Sequence, residues 1–320
     1  MADTFFTMNG NVRAVGSIRR GANGLPQSLE ASIPDGDTIG LHIEGSGSVR
    51  FLGVDTPEKN FPLAGSTAQR RLDSEEWDIY LTDPFLPQFG PLQLDADLVD
   101  HLQGRIGVGA GINHRVHGNH AEQTLISLVQ ADMSALGQDS KTFGYFLSFS
   151  FEVFDSFGRF LAFINRNQQN TNSPGPRPLS YNERMLASGA AMPFFVWPNI
   201  DPFRESPSIL DAVIAPGTAH QVAETTPSLR RARDFVRQAR AGGNGVFNPA
   251  NPLRFEAFEV RYLGRREAPN RAVIDLSRND HVILQPQHYF RIPNAEDRLF
   301  IPPAFVSLFV SRGWRLEGWF

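Results

Sequence analysis

The chain contains no cysteine. Disulfides and thiolate metal sites are thereby excluded, and a bound metal would have to be held by oxygen or imidazole. Lysine is nearly absent as well: with Lys59 and Lys141 alone, arginine carries almost all of the positive charge. Guanidinium suits two-pronged contacts to carboxylate or phosphate, although codon bias would leave the same composition. No apolar run reaches the length of a membrane span; the nearest, "GAAMPFFVWP", is broken by its prolines. The opening "MADTFFTMNGNVRAVGSIRR" lacks a basic stretch leading into an apolar one, so the expectation is no signal peptide, no membrane partner and a cytoplasmic location. A net charge of -4 argues against a protein that coats nucleic acid indiscriminately, and leaves room for a local basic cleft.

What is present is enough for a sizeable core: 320 residues, 41% of them apolar, allow one large domain or two. Four carboxylates crowd one short region. "DGDT" (Asp35 to Thr38) is followed by "VDTPE" (Val54 to Glu58), and the chain between them reads as two strands about a Gly/Ser turn, with Ile39, Leu41 and Ile43 alternating before it and Val49 and Phe51 after it. A symmetric turn pairs Ile43 with Val49, Leu41 with Phe51 and Asp37 with Asp55. Carboxylates facing each other at roughly 5 Å repel by about 3 kcal/mol at an effective dielectric of about 20. A hard divalent cation turns that repulsion into attraction. Asp37 and Asp55 supply oxygen ligands, Gly36 lets the backbone bend closely, and Thr56, held before Pro57, turns its carbonyl toward the same point. Glu58 is placed to orient or deprotonate a water, and Arg50 to grip a phosphate. In "DSFGRFLAF", Arg159 follows a β-turn and is a second candidate for charge developing on phosphorus.

Residues 60–116 are Gly- and Pro-rich with weak periodicity and are expected to cover the cleft and narrow the substrate range. A helix is expected from about Asn119 through "AEQTLISLVQADMSAL", then two aromatic strands in "FGYFLSFSFEVFDSFGRFLAFINR" joined at "DSFG". "SYNERMLASG" predicts a short helix closed by Gly189, and "TPSLRRARDFVRQARAGG" a longer one opening at Pro227. Residues 251–320, with "FEAFEVRYL", "NRAVIDL" and "HVILQPQHYFRI", read as an appended β-rich unit.

The order "DGDT", "R-x-x-x-x-D-T-P-E", "D-x-x-G-R-x-L-A", "NERMLASGAAM" and "RDFVRQARAGGNGVF" resembles the thermonuclease (staphylococcal nuclease-like) family over about residues 28–64 and 116–250, with a long insertion at 60–116 and a C-terminal extension. The resemblance implies an α+β fold: an OB-type five-stranded β-barrel with about three helices, spanning 28–250 after an N-terminal extension 1–27 and followed by the 251–320 unit. It implies a metal-dependent nuclease, with Ca2+ as cofactor and Mg2+ or Mn2+ as alternatives, that cleaves DNA and/or RNA by in-line attack of water and leaves 3′-phosphate ends. Asp37, Asp55 and the Thr56 carbonyl would hold the ion, Asp35 would stand just outside and orient its ligands, Glu58 would activate water, and Arg50 and Arg159 would bear the phosphoryl charge. Phe195 and Trp197 stand where the family often has two substrate-contacting tyrosines.

Rival readings accompany these. The chain would also suit a non-catalytic OB-type module binding single-stranded nucleic acid, or an interaction protein in which the insertion and C-terminal unit matter most. His114, His117 and His120 in "HRVHGNH" lack a fourth ligand at zinc spacing, and Gly118 argues against a regular helix there, so they read as loop histidines. Arg230, Arg233 and Arg237 read as a solvated helix face. Packing is the first reading for Phe195 and Trp197, and stacking against substrate the second.

Overall fold

The structure, a computed structural model, describes residues 5–8, 11–14, 16–18, 20–28, 31, 33, 41–43, 47–200 and 208–318. Its strands are β1 (Phe5–Met8), β2 (Asn11–Ala14), β3 (Gly16–Ile18), β4 (Leu41–Ile43), β5 (Val49–Phe51), β6 (Gly53–Asp55), β7 (Asn60–Phe61), β8 (Arg70–Arg71), β9 (Tyr145–Ser148), β10 (Phe160–Arg166), β11 (Met192–Val196), β12 (Ala272–Asp275), β13 (Val282–Leu284), β14 (Arg298–Ile301) and β15 (Arg315–Glu317). Its helices are α1 (Glu75–Thr82), α2 (Ala96–Gln103), α3 (Ala110–Leu136), α4 (Tyr181–Ala187), α5 (Ala219–Thr225), α6 (Pro227–Ala241), α7 (Ala257–Arg265) and α8 (Val306–Ser311). Among the described residues no helix is long and apolar enough to cross a membrane.

The chain forms two compact units, residues 1–50 with 152–162 and residues 51–151 with 163–320. In the first, β1 pairs with β2 and β3 with β4, both antiparallel. The turn before β10 is set by Asp155, whose carboxylate accepts from the backbone N–H groups of Phe157 and Arg159, with Gly158 in the left-handed region at φ +82°.

The second unit is organised by a six-stranded mixed sheet in the order β15-β13-β12-β14-β11-β6. β11 runs parallel to β14 and β13 to β15, and the other pairs are antiparallel. "AVID" and "RLFI" are buried at every position, as strands with both faces covered must be. Alternation sends Phe195, Ile274 and Leu299 into one core with Met185 of α4 and Leu229 and Val236 of α6. It sends Phe194, Val273 and Phe300 into another with Trp77 of α1, Leu98 of α2 and Phe258 of α7.

At the coarse level this is the expected mixture of helices and sheets; among the described residues it holds no closed barrel and more than three helices. Three expectations are corrected. The segment after residue 250 is not a separate unit, because β12 to β15 continue the sheet that contains β11 and β6. Residues 60–116 are core rather than cover: Leu72, Trp77, Leu81, Leu98 and Leu102 are fully buried beside C-terminal residues. Finally, α3 begins at Ala110, so His114, His117 and His120 are helical. Gly118 fits inside that helix because a Cβ there would lie 2.7 Å from the Pro57 carbonyl oxygen and 2.9 Å from Lys59 Cγ. The roughly 1 kcal/mol that glycine costs a helix interior secures the close approach of α3 to the segment carrying Glu58.

Candidate functional site

Asp55 ends β6 at the edge of the sheet, opposite Met192 of β11. The preceding chain is fixed by Asn182 in α4, whose side-chain oxygen accepts from the Ile164 N–H at 2.9 Å and whose Nδ2 donates to the Leu52 carbonyl at 2.9 Å. Glu183 completes a capping box with Ser180 and takes a two-pronged contact from Arg231, at 2.9 and 2.8 Å. The "NE" of this motif is therefore a device that anchors strands to helices.

Beyond β6 the chain lies along α3. His114 Nδ1–H donates to the Glu58 carbonyl at 3.0 Å, which leaves Nε2 unprotonated and, among the described residues, without a partner. Burial lowers the His114 pKa to about 4, against the opposing pull of that hydrogen bond and of Asp55. The Lys59 carbonyl accepts from Arg115, and Lys59 Nζ meets Glu122 at 2.7 Å.

The carboxylates of Asp55 and Glu58 meet on one guanidinium. Arg261, from α7, donates through Nη1 and Nη2 to the two oxygens of Asp55 at 3.0 and 2.6 Å, and through Nη1 to Glu58 Oε1 at 2.9 Å. Asp55 is 4% exposed, whereas a quarter of the Glu58 side chain reaches solvent and Thr56 is exposed. Burial works to lower the Arg261 pKa, but the two carboxylates outweigh it and hold the group above its ordinary value. The like charges that crowd this region are compensated by an internal cation.

That arrangement bears on the expected ion. A hard cation at Asp55 needs the oxygens that Arg261 occupies, and among the described residues no three His, Asp or Glu side chains converge as metal ligands. Arg261 takes both Asp55 oxygens and one of Glu58. Asp35 and Asp37 lie outside the described residues, and with them the expected pairing of Asp37 with Asp55.

Arg50 and Arg159 belong to the first unit, whereas Asp55, Thr56 and Glu58 belong to the second. Arg50 is half-buried on β5. Arg159 is tied into its own turn: Nε meets Asp155 Oδ2 at 2.7 Å, Nη2 meets it at 2.6 Å, and the guanidinium lies 5.4 Å from the Phe157 ring centre.

Phe195 and Trp197 are core residues. Trp197 is fully buried, donates from Nε1 to the Ala212 carbonyl at 2.9 Å and meets Phe305 and Phe309 edge-on, so its ring has no face for a base. Phe195 is 4% exposed and lines a cavity of about 350 Å³ that includes neither Asp55 nor Glu58. Arg233 is also buried rather than solvated, pairing with Glu224 at 2.6 Å and Asp297 at 2.8 Å, and Arg237 reaches the same Asp297.

Arg261 is the site residue that sequence reasoning missed. "FEAFEVRYL" reads as a strand because its aromatic and β-branched residues favour one, although in α7 the polar Arg261 and Arg265, four residues apart, share one face. The available signal was the pair Glu256 and Glu259, a capping box three residues apart. Comparison with family models, curated proteins and solved structures finds no match to this chain.

Proposed function

We propose that the chain hydrolyses phosphodiester bonds of DNA and/or RNA and leaves 3′-phosphate ends, on a thermonuclease-like framework with an OB-type barrel. One observation carries the reading: Asp55 and Glu58, the carboxylates marked by the ordered motifs, converge on a single nitrogen of Arg261 and Glu58 remains open to solvent. In this reading Glu58 accepts a proton from a water that attacks phosphorus in line, the new P–O bond forms as the bond to the 5′-oxygen breaks, and that oxygen leaves with a proton. Motif order alone assigns Arg50 and Arg159 to the charge developing on the phosphoryl oxygens. A Ca2+, Mg2+ or Mn2+ ion at Asp55 and the Arg261 guanidinium exclude one another.

The test is to incubate purified protein with single- and double-stranded DNA and RNA, with Ca2+ or Mg2+ and separately with excess EGTA and EDTA, and to map the ends. Products with 3′-phosphates that Glu58→Gln abolishes are expected; no product from the unaltered chain under any of these conditions overturns the reading. A second reading, a non-catalytic module that binds single-stranded nucleic acid, is favoured by the same ion pair, since it occupies one oxygen of the carboxylate that would act on water. Metal-independent retention of oligonucleotides without products would establish it.

A further inference from the structure

Arginine has five N–H donors in a fixed planar fork. In Arg261 the Nη1/Nη2 edge faces Asp55, and the outer Nη1–H faces Glu58. The opposite edge, Nε–H with the second Nη2–H, meets no acceptor among the described residues. Two parallel N–H groups on one guanidinium edge are a two-pronged donor for an oxyanion.

Arg261 also lines a cavity of about 80 Å³ together with Arg265 and Arg271, against Phe194, Phe258 and Phe300, with Glu267 the one acidic residue in the lining. The Arg271 guanidinium lies 5.7 Å from the Phe194 ring centre and that of Arg265 5.3 Å from the Phe61 ring centre. Such stacking holds the Arg265 and Arg271 guanidinium groups by the face, and Arg271 has a further interaction besides. The depression is small, open to solvent and has room for a phosphoryl group.

We propose that this cavity is a phosphate subsite, in which the Nε/Nη2 edge of Arg261, with Arg265 and Arg271, holds a phosphate of the nucleic-acid strand. Arg261 both lines the subsite and binds Glu58, so the phosphate held is a neighbour of the one cleaved. Arg261 thereby has two tasks, fixing the carboxylates on one edge and the strand on the other. This deepens the nuclease reading and rests on it for the identity of the ligand.

The experiment measures anisotropy of a labelled single-stranded hexanucleotide in excess EDTA across a salt series, for the full chain and for the double variant Arg265→Ala/Arg271→Ala, with inorganic phosphate as competitor. Both substituted residues are exposed, and circular dichroism checks that the variant is folded; Arg312→Ala, an exposed arginine elsewhere, is the control. The expected result is roughly tenfold weaker binding and a log–log salt slope shallower by about 0.7, the signature of one lost contact to a single strand, with phosphate competing against the unaltered chain and losing that effect in the double variant. Equal affinity and slope in the two proteins overturn the proposal. So does an effect of Arg312→Ala as large as that of the double variant, because a general loss of charge would then suffice. Cleavage is scored separately: phosphate competition without cleavage by the unaltered chain retains the subsite and removes the nuclease reading, whereas cleavage with an unchanged salt slope does the reverse.

Discussion

Glu256 and Glu259 at the start of α7, and Arg261 further along it, belong to two charge clusters that share a helix and differ in their access to solvent. In the first, Arg298 donates to Glu256 at 2.7 Å, Arg105 lies 3.3 Å from Glu259, and the Tyr262 and Tyr289 hydroxyls meet at 2.9 Å beside them. Burial pushes the Glu256 pKa up in spite of Arg298, whereas Arg105, with His101 and Tyr289, holds Glu259 below the ordinary value in spite of equal burial. In the second, Asp55 and Glu58 share Arg261, Glu58 reaches solvent, and one edge of the guanidinium meets no acceptor among the described residues. The sealed cluster uses its donors on structural partners; the open one retains donors and a solvent-facing carboxylate. Access to solvent, rather than the presence of paired charge, separates the two clusters.

The sharpest way to break this contrast is Arg298→Met. The Arg298 side chain is 4% exposed, and its loss leaves Glu256, 6% exposed, without its guanidinium. Stability should fall by about 3–5 kcal/mol, read from urea unfolding, with no gain from added Ca2+. A smaller loss than that of Arg261→Met would show that the sealed cluster is not the more structural of the two.

His114 links the clusters, since Asp55, Arg261 and Glu259 all act on it. Its folded pKa, about 4, lies below the ordinary 6.5. The unfolded chain therefore binds the extra proton first as pH falls: the contribution is complete above pH 6.5 and is lost as pH drops toward 4. The loss amounts to about 3 kcal/mol across that window. His114→Gln, which retains a donor for the Glu58 carbonyl, should flatten the decline in unfolding free energy between pH 7 and pH 4.5; an unchanged pH profile would assign the decline to other groups.

The parts that sequence disclosed were those with local signals. Gly189 closes α4, and Pro227 and Gly242 bracket α6. The mixture of helix and sheet was legible, and so was the closeness of Asp55 to Glu58, which are near in sequence. What stayed hidden depends on distant partners. Gly118 signalled a break in the helix because nothing local reveals the Pro57–Lys59 segment it admits. Trp77 and Leu98 sat in a stretch that looked like loop, because their burial comes from residues beyond 250. Arg261 lay in a segment that reads as a strand, with its carboxylates some two hundred residues earlier.

Arg261→Met tests the open cluster. Asp55 loses both donors from this guanidinium and Glu58 loses one, but Glu58 is partly hydrated, so the expected loss of stability is about 2–3 kcal/mol. Millimolar Ca2+ should recover part of it by taking the oxygens Arg261 vacates. A calcium-dependent rise in melting temperature is expected in the variant and not in the unaltered chain. An equal rise in both would show that the ion and Arg261 do not compete.

The smallest effect is expected at Trp197→Phe, which separates packing from stacking. Phenylalanine retains the edge-on contacts to Phe305 and Phe309 but removes the indole N–H, and the buried Ala212 carbonyl loses that donor. The cost should be about 1–2 kcal/mol, read as a lower urea midpoint with an unchanged denaturant slope. Oligonucleotide affinity should not move, because no face of this ring reaches solvent. Weaker binding at unchanged stability would put the ring against substrate and reverse the assignment.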